Sequence, residues 1–474
     1  MAREAAGWLL VLALFYSPWD EGGTTGRAIH NLNWILGAMA CLWIGQRLLL
    51  PNEKRNGGTK SGWFVAAISG LILVFGWAMA LNAHSVADAD YSVLLPLKSI
   101  WPNGPGSSDF SLSVALMTRV TLGLGCLFVV TQLSRDSRWL LRIWWAIGLA
   151  GGSIALLGLL QKATGAPMIL WRPLYEGEAP VTTFFATYYY HGNAGAFLNL
   201  ILPAVLGLAF RYLTRPCHPA VRALWVTVSL VVLVAVFSDT SRMGQFIAVL
   251  ILLALFFVFA SAMSRRVRHL EVRTIAIALL VSLLALWAVT QASHLDQSLG
   301  RWGSFRSTWT RDARWTVDKV AIAALPRAGA AGFGPGTFSA IFPYLRNGGG
   351  LEEGKWIFLH DDYLQTLLEW GWFGGALWGA IFFGGMVCAI AGLTSKGREW
   401  YPRQRLLLLL ALVALCGVAL HAAVDFPLQI SSIELYVATY LGICWGSGLW
   451  EGRTQRSEIG SQKSEDRRKK NGRG

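Results

Sequence analysis

His360, Asp361 and Asp362 stand side by side in His360–Gly375, HDDYLQTLLEWGWFGG. A histidine can accept a proton at neutral pH, and a nearby carboxylate can orient its ring. Tyr363, Leu364, Leu367 and Leu368 follow at three-to-four spacing, which predicts an apolar helix face. Glu369 and Gly371 close that helix, and a hydrophobic run follows at once. The titratable cluster therefore sits at the mouth of a membrane segment. A lone histidine there also fits a capping or interfacial residue, and what distinguishes His360 is its company.

That company is spread along the chain. Arg311 and Arg314 lie three apart in Trp309–Leu325, a helical pattern with Trp315, Val320, Ala321, Ala324 and Leu325 as its apolar stripe. Arg314 is in reach of Asp318 at i+4. This spacing fits a surface helix with one ion pair, and equally a pair of guanidinium forks for phosphate. Gly332–Phe338, GFGPGTF, lacks the preceding strand and the Lys-Ser/Thr of a P-loop. It reads as a tight turn whose N–H groups could face an anion. Arg242, in SDTSRMGQ, lies between two apolar runs, where it either snorkels to the interface or holds an anion. His421 and Asp425, in HAAVDF, are four apart near the end of a span and so share a helix face. A functional pair and a structural hydrogen bond both fit. His191 and Asn193 begin another span, and Asp88 and Asp90 form a lone D-x-D, a weak signal for a divalent cation.

The elements that must position these residues are set by composition. The chain has 474 residues, of which only 14% are charged; soluble proteins average about 25%. It reads as an all-α, polytopic membrane protein, and its 23 tryptophans suit membrane interfaces. The net charge of +14 would suggest nucleic acid in a soluble protein. Here cytoplasmic enrichment of Lys and Arg explains it, and no nucleic-acid partner is expected. Five of the six cysteines fall in apolar runs, Cys217 lies in a short loop, and no CxxC occurs. Structural disulfides and thiolate metal sites are not expected.

A span needs about 20 apolar residues, and about twelve candidates occur: Ala5–Ser17, Ala28–Leu49, Trp63–Asn82, Ser113–Gln132, Trp139–Leu160, Asn193–Arg211, Ala223–Phe237, Met243–Met263, Thr274–Thr290, Gly371–Leu393, Leu406–Val424 and Ser431–Trp450. The first lacks an A-x-A-like site after it and reads as a retained span rather than a cleaved signal. The chain divides into residues 1–290 with nine spans, a long loop at 291–370 containing short helices, residues 371–450 with three spans, and a disordered basic tail at 451–474. No part outside the membrane looks large enough for its own core.

Loop charges orient the bundle. With the N-terminus inside, Lys54, Arg55, Lys60, Arg135, Arg138, Arg215, Arg222, Arg265, Arg266, Arg268, Arg273, Lys396, Arg398, Arg403 and Arg405 are cytoplasmic. The opposite short loops carry only Arg27, Lys98, Lys162, Arg172 and Arg242. The bias puts both termini inside and residues 291–370 outside. A transporter of two six-span halves would need its long loop central and cytoplasmic; here it is outside and between late spans.

The order of the motifs resembles the bacterial O-antigen ligase and polymerase family. That order is Ser241-Arg242 with Gly244, Arg311 with Trp315, Gly332–Phe338, His360–Gly374, then His421 with Asp425 and Phe426. The motifs cover about the C-terminal half; the N-terminal half is similar in span layout alone. Two departures are Asp361, where the family more often has Asn, and the long linker RNGGGLEEGKW before the histidine. The resemblance implies a C-type glycosyltransferase fold at the outer face of the bacterial inner membrane. It implies a glycan donor on undecaprenyl diphosphate and transfer without a metal or other cofactor. The acceptor would be lipid A core, a second lipid-linked glycan or a protein. Carried over by position, Arg242 and Arg311 would hold the diphosphate and His360 would be catalytic. Arg314, Asp361, Asp362, Tyr363, His421 and Asp425 are expected around the substrates, with Asp361 or Asp362 orienting the imidazole.

Overall fold

The computed structural model describes residues 2–49, 60–88, 93–173, 183–263, 302–303, 312–346, 356–395 and 400–450. Among these residues it contains thirteen α-helices and a single hairpin. The helices are α1 (Ala2–Trp19), α2 (Gly26–Leu49), α3 (Lys60–Leu81), α4 (Phe110–Leu133), α5 (Ser137–Ala163), α6 (His191–Leu213), α7 (Pro219–Ser238) and α8 (Arg242–Met263). Then follow α9 (Ala313–Ala328), α10 (Phe338–Leu345), α11 (Asp362–Thr394), α12 (Pro402–Ala422) and α13 (Ser431–Ser447). The hairpin pairs β1 (Ser85–Asp88) with β2 (Val93–Pro96) and is a small departure from an all-α chain.

Nine helices among the described residues, α2 to α8 with α11 and α12, are long and apolar enough to cross a membrane. The protein is therefore a polytopic, all-helical membrane protein in its main body. The helices α1 and α13 also fall on expected spans, but their 18 and 17 residues are short for a bilayer core. The expected span Thr274–Thr290 lies outside the described residues, as do Asp90 and the basic tail.

Helix boundaries follow local chemistry. Asp109 caps α4 by accepting from the Leu112 N–H at 2.7 Å, and Asp136 caps α5 from the Arg138 N–H at 2.8 Å. Pro219 and Pro402 open α7 and α12, where their missing N–H costs nothing. A helix apolar all round belongs in the middle of a bundle, and α13 is buried along its whole length. It packs against α4, α11 and α12. Its tyrosines carry polar tips into that interior and satisfy them on backbone. Tyr436 donates to the Leu14 carbonyl at 2.7 Å, and Tyr440 to the Leu200 carbonyl at 2.8 Å.

Contrary to expectation, the loop between the membrane segments has a core of its own. Val317, Ala321, Ala324 and Ala328 of α9 pack with Phe338, Ile341, Phe342 and Leu345 of α10, and with Leu359 and Leu368. The expected stripe on α9 holds at Ala321 and Ala324, with Val320 and Leu325 packed against the same core, but Trp315 is 42% exposed and Val317 and Ala328 are buried instead. Small side chains let α9 lie close to α11.

Candidate functional site

The site is assembled from four separate elements. Tyr190 caps the start of α6, Arg314 lies in the first turn of α9, His360 precedes α11, and Asp425 follows the end of α12. His360 Nδ1 lies 2.8 Å from Asp425 Oδ1. The Tyr190 hydroxyl donates to Asp425 Oδ2 at 2.9 Å and accepts from Arg314 Nη2 at 2.7 Å. The Phe426 N–H donates to Asp425 Oδ1 at 3.1 Å.

Electrostatics fixes the protonation pattern. Burial pushes the Asp425 carboxyl up, but the His360 bond and charge, with Arg314 and His421, outweigh it and hold the group below the ordinary carboxylate range. Asp425 is thus an acceptor, and His360 Nδ1 must carry the proton between them. In the neutral ring the free lone pair is then on Nε2. Burial, followed by the charge of Asp425, pushes the Tyr190 hydroxyl well up, so it stays protonated. Burial disfavours the Arg314 charge, but Tyr190, Asp425 and Asp312 more than compensate.

Aromatic rings hold the imidazole in place. Phe426 meets it edge-on at 4.8 Å and Trp356 at 5.8 Å. Phe426 in turn stacks on Tyr190 at 5.5 Å and on Phe358 at 5.1 Å. The side chain of His360 remains 17% exposed and that of Asp425 only 6%. A substrate can therefore reach the ring but not the carboxylate behind it.

The two aspartates beside His360 do other things. Asp361 caps α11, accepting from the Tyr363 and Leu364 N–H groups at 2.9 Å each. Asp362 accepts from the Leu428 N–H at 2.8 Å and from Gln429 Nε2 at 2.9 Å. It ties the start of α11 to the turn after α12, and so brings His360 to Asp425. The orienting position that the sequence offered to Asp361 or Asp362 belongs to Asp425. Tyr363 sends its hydroxyl to the Ala419 carbonyl at 2.7 Å. His421 is buried, and its Nε2 lies 4.0 Å from Asp425 Oδ2, too far for a hydrogen bond. Arg314 turns to Tyr190 rather than to Asp318, and Arg311 lies outside the described residues.

Arg242 is the first residue of α8. The Ser241 hydroxyl accepts from the Gly244 N–H at 3.0 Å, and Asn199 Nδ2 donates to the Gly244 carbonyl at 2.8 Å. A Cβ on Gly244 would stand 3.1 Å from Gly195 Cα. The two glycines bring α6 and α8 together near their N-terminal ends. Arg242 is thereby held at the same end of the bundle as Tyr190.

The glycine-rich turn faces the side-chain carboxyl of Glu369. Gly336 and Phe338 donate their N–H groups to its two oxygens at 2.9 and 3.1 Å. The turn also repairs a break in α11 at Gly371, which has φ 63° and ψ −173°. Leu368 and Glu369 carbonyls, orphaned by the break, accept from Phe333 and Gly334 at 2.8 and 2.9 Å. The Trp372 and Phe373 N–H groups donate back to Gly329 and Ala330 at 3.3 and 3.1 Å. This site is structural, and its nest is already filled.

Sequence reasoning missed Arg119 and Glu434. Arg119 Nε meets Glu434 Oε2 at 2.8 Å, and Arg119 Nη1 donates to Ser431 Oγ at 3.2 Å. Both line an apolar groove of about 340 Å³ between α4, α11 and α13 that also touches Asp362 and Gln429. The available signal was a lone basic residue in one span and a lone acid in another. Comparison with protein-family models gives no match, and comparison with the curated proteins gives none either.

Proposed function

We propose that this protein is a membrane glycosyltransferase that moves a glycan from an undecaprenyl-diphosphate carrier to an acceptor hydroxyl at the periplasmic face, in the manner of an O-antigen ligase. The observation that supports this reading is the His360–Asp425 pair, with Nδ1 held and Nε2 without a hydrogen bond among the described residues. The acceptor hydroxyl gives its proton to Nε2 as its oxygen attacks the anomeric carbon of the donor. The bond from that carbon to the carrier diphosphate breaks, and the diphosphate leaves with the electron pair. Asp425 stabilises the imidazolium that forms. Arg242 and Arg311 are the residues the resemblance assigns to the leaving diphosphate, and fixed guanidinium groups stabilise developing phosphate charge. The apolar groove beside Asp362 offers a path for an isoprenoid chain. A polymerase would share these steps and take a second lipid-linked glycan as acceptor.

A deletion strain should accumulate carrier-linked glycan. The wild-type gene should clear it and His360→Ala should not, with the variant present in the membrane at normal level. Clearance by His360→Ala, or no accumulation in the deletion strain, would overturn the assignment.

A further inference from the structure

A second cleft, of about 480 Å³, opens among α1, α5, α6 and α12. It is far from His360. Arg403 lines it from the start of α12, whereas His421 is 18 residues further along the same helix, about 27 Å at 1.5 Å per residue. This is the face that the loop charges assign to the cytoplasm.

The cleft has two chemistries. Val11, Phe15, Leu141 and Leu149 make an apolar wall, while Arg138, Arg142 and Arg403 stand along it. Arg138 reaches Asp136 only at 3.6 Å and is 81% exposed. Arg142 pairs with Glu4 at 3.1 Å and spreads over the Trp8 and Trp139 rings at 5.3 and 4.7 Å. Arg403 forms no ion pair among the described residues, and Arg211 and Arg215 add their positive charge to it. Among the described residues, the three arginines that line the cleft thus have two carboxylates beside them, Glu4 and Asp136. Tyr212 and Trp145 also line the cleft, and the Tyr212 hydroxyl accepts from Trp145 Nε1 at 3.0 Å.

We infer that this cleft binds an anionic phospholipid, with its phosphate on Arg403 and Arg142 and an acyl chain along the Val11–Leu149 wall. A free phosphate would use the arginines but leave the apolar wall wet, and a zwitterionic lipid would leave the excess positive charge uncompensated. Basic pockets between spans on the cytoplasmic side suit acidic headgroups.

The test is native mass spectrometry of the full-length, delipidated protein titrated with phosphatidylglycerol or phosphatidylcholine. Phosphatidylglycerol should bind at least tenfold more tightly. Arg403→Gln should weaken it about fivefold, the equivalent of about 1 kcal/mol for one surface arginine. Equal binding of the two lipids, or unchanged binding by Arg403→Gln, would overturn the inference. Displacement of the lipid by millimolar inorganic phosphate would overturn the lipid assignment in favour of a soluble anion. In the wild-type protein, phosphatidylglycerol with a photoactivatable chain should label residues 141–149, and labelling confined to other segments would equally reject the site.

Discussion

Asp425 and Glu369 are both buried carboxylates at the same end of the bundle, and they are held in opposite ways. Asp425 is bound by the side chains of His360 and Tyr190, with one backbone N–H. Glu369 is bound by the backbone N–H groups of Gly336 and Phe338, with Gln365 Nε2 at 3.0 Å. Side chains that titrate can pass a proton onward, whereas backbone amides cannot. On the proposed function, the first carboxylate serves chemistry and the second serves shape. The contrast also separates two motifs that look alike in sequence, since each places an acid near glycine or histidine.

The largest expected effect breaks the comparison on the chemical side. His360→Ala should lower transfer by about 10²–10⁴-fold, the usual contribution of a general base. Its stability should fall less than that of Glu369→Ala, because Asp425 keeps the Tyr190 hydroxyl and the Phe426 N–H as donors. If stability falls in step with activity, His360 is as structural as Glu369, and the contrast fails. Glu369→Ala should do the reverse. It strands two backbone donors and an amide in the interior, at about 3 kcal/mol or more. Chemical denaturation should show that loss; an unchanged midpoint would mean that the turn holds without that carboxyl.

Tyr190→Phe comes next. It removes the link between Arg314 and Asp425 while keeping the ring that stacks on Phe426. One hydrogen bond to a charged group is worth about 1.5–3 kcal/mol of stability, so the unfolding midpoint should drop and transfer should fall about tenfold or more. A rate within twofold of wild type would remove Tyr190 and Arg314 from the catalytic chain. Asp318 gives the smallest effect. Burial, then the nearby Asp361 charge, raise its carboxyl to about 6. The folded state then binds the proton more tightly than the unfolded chain does. Stability should be higher below about pH 4 and decline as pH rises through about 6. The group is half-exposed, so screening keeps the change below about 1 kcal/mol. Asp318→Asn should flatten this slope, and a slope that survives the substitution belongs to other groups.

The helix layout was open to reading because a bilayer demands long apolar runs, and eleven of the twelve expected spans coincide with described helices. The pairing of His360 with Asp425 was not. These residues are 65 apart in sequence and meet only after Asp362 ties α11 to the turn at Leu428. The four-residue spacing of His421 and Asp425 does bring them together: the Asp425 N–H still donates to the His421 carbonyl at 3.0 Å. Because α12 stops at Ala422, the side chains end 4.0 Å apart, beyond a hydrogen bond. The glycine-rich turn was legible as a turn. That the Glu369 carboxyl fills it depends on the break at Gly371, whose Leu368 and Glu369 carbonyls draw Phe333 and Gly334 against α11. Arg119 and Glu434 were passed over because each sits alone in its own span.

The break at Gly371 divides α11 into two mechanical parts. Asp362–Trp370 is clamped to the loop core, while the remainder runs on to Thr394 across the bilayer. Spans accommodate thicker or thinner bilayers by tilting. A continuous helix would carry such a tilt straight to His360. Here the chain on both sides of the break is bonded to one turn, Leu368 and Glu369 through Phe333 and Gly334, and Trp372 and Phe373 through Gly329 and Ala330. If the proposed transfer takes place at His360, its rate in bilayers of different acyl-chain length reports whether the break absorbs a tilt of the span or passes it on.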